Sequence, residues 1–109
     1  MAFWYAWHPG DYARDTADLT VHEDCYFRRL LDTYYSTCKP LPSDYYALYR
    51  ICRATRLSER AAVKAIADRF FVKNGDGLLH NFRADKEIAE LLARSERARL
   101  KATKRWSKE

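Results

Sequence analysis

The sequence predicts a mostly α chain with a small β-hairpin, an α+β domain, and three observations carry that reading. Apolar residues recur at helical spacing in four separate stretches. A glycine-containing turn, Asn74-Gly75-Asp76-Gly77, separates two short apolar runs. At 109 residues there is material for one core only, so these elements must share it. From Ser43 to Phe82 the order is helix, short turn, helix, hairpin. That order predicts a winged helix-turn-helix, preceded by an aromatic segment and followed by a basic C-terminal helix.

The chain opens on Phe3-Trp4-Tyr5-Ala6-Trp7, aromatics expected to pack onto the core, and turns at Pro9-Gly10. Thr20-Val21-His22-Glu23 matches a capping box, in which hydroxyl and carboxylate each satisfy a backbone donor that the helix start leaves orphaned. Tyr26, Phe27, Leu30, Leu31, Tyr34 and Tyr35 then form a stripe broad enough for a central helix. Pro40 and Pro42 end it near Cys38-Lys39. Leu41, between the prolines, is placed to begin a small strand that pairs with the hairpin.

Ser43 is the expected N-cap of the next helix, which turns Tyr45, Leu48, Tyr49 and Cys52 inward. Thr55-Arg56-Leu57 is the turn, with Leu57 expected to plug the corner and Ser58 to cap the second helix of the pair. Ala62, Val63, Ile66, Ala67 and Phe70 share the buried side of that helix, so Arg60, Ala61, Lys64 and Asp68 project the other way, where a recognition helix meets DNA. Phe70 to Lys73 and Leu78 to Phe82 are the strand candidates, and a four-residue connection calls for a bulge. Lys73 and Asn74 fall near its tip. Arg83 to Leu92 returns to helical spacing, with Ile88, Leu91 and Leu92 inward. Residues 1–93 therefore form the winged-helix-like domain, and 94–109 a basic extension, partly helical or frayed.

Net charge is +5, but its placement matters more than its size. Residues 50–73 carry seven Lys/Arg against two Asp/Glu, and residues 94–109 again seven against two; the rest of the chain is net acidic. Two basic blocks on an acidic scaffold point to a polyanion. The expected DNA-contacting residues are Arg50, Arg53, Arg56, Ser58, Arg60, Lys64, Lys73 and Asn74 from the first block and the hairpin. Arg94, Arg97, Arg99, Lys101, Lys104 and Arg105 supply the second.

Other classes are less well served. No apolar run approaches a bilayer span and no signal-peptide pattern follows the aromatic start, so a cytoplasmic protein with no membrane partner is expected. Cys25, Cys38 and Cys52 have neither zinc nor redox spacing, and Cys25 and Cys52 read as buried thiols. Asp11, Asp15, Asp18, Glu23 and Asp24 fit no calcium loop or two-metal pattern. No catalytic group, cofactor or metal is therefore expected.

His8-Pro9-Gly10-Asp11-Tyr12, Leu19-Thr20 with Glu23-Asp24, the run Tyr26 to Tyr35, Pro40-Leu41-Pro42, Phe70-Phe71, Gly77 and Arg83-Ala84-Asp85-Lys86-Glu87 occur in an order that resembles the YdaU-like family over about residues 4–93. These are small domains of phages, prophages and mobile elements, often at the N-terminus of replication proteins. Cys25 departs from the family's usual small residue, and longer members continue into a C-terminal region beyond the point where this sequence ends. The resemblance implies a winged-helix-like domain that binds DNA in replication, or its initiation, of a mobile element in a bacterial cell; a non-enzymatic role and duplex DNA as the partner are the accompanying expectations. A protein-protein adaptor gripping a host or phage replication protein, or a defence protein, is the alternative. Oligomeric state is left open by the sequence.

Overall fold

A computed structural model of the chain describes residues 13, 14 and 16–107. It is mostly helical, with helices α1 Val21–Thr37, α2 Tyr45–Cys52 and α3 Leu57–Phe70, strands β1 Val72–Lys73 and β2 Leu79–His80, and helix α4 Phe82–Ser107. The aromatic run at 3–7 and the turn at Pro9-Gly10 lie outside the described residues.

Helix α1 is the centre, and α2, α3 and α4 all pack on it. Its capping box forms as expected: Glu23 Oε1 accepts from Thr20 N–H at 2.9 Å, and Thr20 Oγ1 from Glu23 N–H at 3.2 Å. Tyr26, Phe27, Leu30, Tyr34 and Tyr35 are buried, while Leu31, at the stripe's margin, is half-buried. The helix ends at Cys38, whose left-handed backbone lets its N–H return to the Tyr35 carbonyl before Pro40. Phe27 stacks on Phe70 at 4.2 Å between ring centres and meets Phe71 edge-on at 6.2 Å, which fixes α3 and the chain leaving it against α1.

The strands pair antiparallel, Val72 with His80 and Lys73 with Leu79. Leu41 adds a single bridge to Leu79, with both hydrogen bonds made at 3.0 and 2.8 Å, so the segment between the prolines joins the hairpin as its spacing suggested. Gly77, at φ 77°, closes the turn: its N–H donates to Asn74 O and Asn74 N–H to Leu78 O, the expected bulge. The strands are shorter than the apolar runs. Phe70 belongs to α3, and Asn81 is taken as the cap of α4, its Oδ1 accepting from Ala84 N–H at 3.0 Å, which leaves Phe82 exposed at the first helical position.

Several boundary expectations are corrected. Asp44, not Ser43, caps α2, its carboxylate accepting from Tyr46 N–H. Helix α3 starts at Leu57, so Ser58 caps nothing; Glu59 reaches back instead to the backbone N–H groups of Arg56 and Thr55 at 2.9 and 3.1 Å. Those bonds hold its carboxyl below the usual range. Leu57 is 87 % exposed and Ala54 fills the corner at 3 %, because a first-turn side chain points out where the turn bends in. Leu92 is 54 % exposed: Ala84, Ile88 and Leu91 face inward, and one residue further on the side chain has rotated by about 100°. Cys25 is half-buried beside Arg29, whereas burial pushes the Cys52 thiol up to about 12. Through the extension α4 runs unbroken to Ser107. Its first half is held on the core, so the rest needs no new nucleus and only propagates through helix-favouring Ala, Leu, Arg and Lys.

His80 joins the hairpin to α4. One ring nitrogen meets Asp76 in the turn and the other Asp85 in the first turn of α4, both at 2.8 Å. Two carboxylates can both be satisfied only by an imidazolium, and they raise its pKa, Asp85 more than Asp76. A raised folded pKa stabilises the protein fully below the free value of 6.5 and stops doing so as pH climbs through the folded value. Urea midpoints measured from about pH 5.5 to about pH 8.5 are therefore expected to fall with rising pH, and His80→Gln to remove most of that fall. A wild-type profile as flat as the variant's would show that the bridge adds nothing.

Candidate nucleic-acid interface

The helix pair turns at Arg53, which holds a left-handed backbone at φ 59° and donates its N–H to Arg50 O and Tyr49 O. Arg50, Arg53 and Arg56 are all exposed around this corner, as is Ser58 just beyond it. An L-residue in the left-handed region costs energy that glycine would not, so a cation here sits on strained backbone.

Arg60 and Lys64 are placed differently from cations extended off a free helix face. The Arg60 guanidinium lies 5.1 Å from the ring centre of Tyr49 and 5.9 Å from that of Tyr46, with its Nε donating to Ala54 O at 3.3 Å, and the residue is half-buried. Lys64 Nζ lies 5.2 Å over the ring of Tyr45, whose hydroxyl donates to Asp68 at 2.7 Å. The side of α3 predicted to be open is thus covered in part by tyrosines of α2. Arg69, in the same basic block, is committed to Asp18 through two bonds of 2.9 and 3.2 Å. Sequence periodicity alone could not give these partners, although Tyr46 was already 100° off the buried stripe defined by Tyr45, Leu48, Tyr49 and Cys52.

Lys73 and Asn74 stand exposed where β1 enters the turn. On α4 every residue from 92 to 106 is exposed, a projecting stretch of about 22 Å that gives the molecule a long axis of 63 Å against 30 and 25 Å. Arg94, Arg97, Lys101, Lys104 and Arg105 fall within about 100° of arc on it. Arg99 lies outside that arc and pairs with Glu96 at 2.6 Å. Among the described residues, Arg50, Arg53, Lys73, Arg94, Arg97, Lys101 and Arg105 have no carboxylate within ion-pair distance. The predicted site is therefore two cationic surfaces, a corner and a stripe, with Arg60 and Lys64 drawn into an aromatic seam at the edge of the first.

Among the described residues no group of three or more His, Cys, Asp or Glu could hold a metal ion, and no helix is long and apolar enough to cross a membrane. A family model described as a protein of unknown function (DUF1376) matches residues 3–89, which includes the helix pair and the hairpin and stops within α4. No curated protein and no solved structure matches the chain.

The strain at Arg53 gives a direct test. Arg53→Gly is expected to raise unfolding stability by up to about 1 kcal/mol, because relief of the left-handed backbone outweighs the extra unfolded-chain entropy of glycine, and to weaken any binding of a polyanion at the same time. A urea midpoint that falls would mean that the arginine side chain, not the left-handed backbone, sets stability at the corner. Arg60→Ala should lower stability by about 0.5–1 kcal/mol through loss of its ring contacts.

Proposed function

The chain belongs to the DUF1376 family, and we propose that it is a DNA-binding, non-enzymatic domain with a winged helix-turn-helix fold, serving replication of a phage or mobile element. The observation that carries this is the pair of exposed cationic surfaces in which, among the described residues, Arg50, Arg53, Lys73, Arg94, Arg97, Lys101 and Arg105 have no carboxylate within ion-pair distance. A surface that keeps its cations unpaired has an unmet demand for anions, and a phosphate backbone meets it over the length both surfaces span.

The fold reading has its own support. Helix, single bridge, helix, helix and hairpin is the element order of a winged helix, with Leu41 joining the hairpin edge. In that reading Arg50, Arg53 and Arg56 hold phosphates beside α3, Lys73 and Asn74 reach one from the wing, and the α4 stripe adds affinity without sequence preference. Lys64 keeps an exposed ammonium that can reach a groove, while Arg60 supports the seam. The replication role rests on the resemblance to the YdaU-like family.

One feature favours the adaptor reading as a second choice. Leu92, Leu100 and Trp106 are exposed on α4 within about 120° of arc, roughly opposite the basic stripe. An apolar side of this kind suits a helical partner, such as a replication or defence protein.

Fluorescence anisotropy with mixed-sequence duplex at about 50 and about 200 mM salt separates the two. A protein making about six phosphate contacts loses on the order of a thousandfold in affinity across that range. Replacing Arg94, Arg97, Lys101, Lys104 and Arg105 with Gln is expected to reduce the slope while leaving the corner's share. Absence of binding by the full chain at the lower salt would overturn the DNA reading.

A further inference from the structure

Tyr46 is the tyrosine of α2 that stands outside the core. Tyr45 and Tyr49, its neighbours on α2, are half-buried and pack on the core, while Tyr46 is 63 % exposed. An exposed tyrosine in a helix ordinarily sweeps several rotamers, yet this ring is held by two neighbours, one of which, Arg60, lies over one of its faces. Tyr49 meets it at 5.7 Å in an edge-to-face arrangement of 77°, and the Arg60 guanidinium lies 5.9 Å from its centre. Arg60 is itself fixed by the Ala54 carbonyl, and Tyr49 by the core. The result is an oriented aromatic plate facing solvent.

Cations flank the plate along one line. Arg50 follows Tyr46 by one helical turn, about 6 Å along the axis and within about 40° of arc on α2, and Arg53 follows at the corner, where the left-handed backbone ends the helix. Both arginines are exposed and lack a carboxylate partner among the described residues. A ring followed by two cations at successive turns is the arrangement that takes a base and then the phosphates of the adjoining nucleotides.

Which form of DNA fits is decided by the π-face. In a duplex each base face is covered by its neighbours in the stack, so a protein ring at the outside meets only edges and backbone. An unpaired base has a face to give, and stacking on tyrosine tolerates any base. We infer that the α2 surface binds single-stranded DNA, with an unpaired base stacked on Tyr46 and the flanking phosphates held by Arg50 and Arg53. This rests on the DNA-binding reading above and adds strand preference to it: the corner takes a single strand, and the α4 stripe, which carries no exposed aromatic within its arc, takes backbone of either kind.

The test uses the full chain as wild type, Tyr46→Ala and Tyr46→Trp, at one salt concentration. Three labelled probes are needed: a thymidine strand of about 12 nucleotides, the same strand with interior bases removed, and a mixed-sequence duplex. Tyr46→Ala is expected to weaken binding of the intact strand roughly tenfold or more, and to leave the abasic strand and the duplex within about twofold. Tyr46→Trp should bind the intact strand at least as well as wild type, and it keeps the test meaningful if the alanine variant unfolds. Equal loss on all three probes, or none on any, overturns the stacking site while leaving DNA binding in place. Failure of wild type to bind any probe overturns the DNA reading itself.

Discussion

Tyr34 is completely buried, and its hydroxyl goes in with it. A buried hydroxyl without a partner costs about 1–3 kcal/mol, so the groups that satisfy it are constrained as firmly as the ring. It donates to the Asp85 carboxylate and accepts from Asn81 N–H at 3.2 Å, and burial first, then Asp85, pushes its pKa far above that of a free phenol. Asn81 in turn caps α4 and donates to Phe70 O at 3.1 Å, the last carbonyl of α3. Asp85 also takes one nitrogen of His80, whose other nitrogen reaches the hairpin turn. One hydroxyl on the central helix thereby fixes where α3 stops, where the hairpin ends and where α4 begins. Tyr35 adds a parallel tie to Glu87 at 2.6 Å.

With those junctions fixed, the cations are sorted by what lies next to them. Arg28 finds Asp24 at 3.4 Å within α1, while Arg69 finds Asp18 and Arg60 and Lys64 find tyrosine rings, these last three joining neighbouring parts of the chain. Among the described residues Arg50, Arg53, Lys73, Arg94, Arg97, Lys101 and Arg105 make no ion pair, and at Arg53 the backbone is strained as well. Those are the charges on which the proposed DNA reading rests.

Elements driven by their own periodicity were legible in the sequence: the α1 stripe and its capping box, the buried side of α3, the glycine turn, and even the pairing of Leu41. What escaped was decided by residues distant in the chain. Leu57 looked like a plug because it is apolar and sits at a turn, but it is Ala54 that is buried there. Arg60 looked free because its own helix is amphipathic, and the tyrosines that claim it belong to another helix. Asn81 read as strand from its apolar neighbours, although an asparagine followed by Asp85 is also a helix start. The candidate site was legible as a charge distribution, and the aromatic seam beside it was not.

The continuity of α4 makes it a shaft. Its buried half, at Ala84 and Ile88, is keyed to the core, and the angle set there is transmitted without slack to Arg94 and beyond. Orientation along such a shaft is counted in residues: lengthening it by one between Ile88 and Arg94 would swing the basic stripe by about 100°, whereas adding seven would return it nearly to its bearing and merely carry it about 10 Å farther out. Which way the charge points is thus a property of chain length as much as of composition.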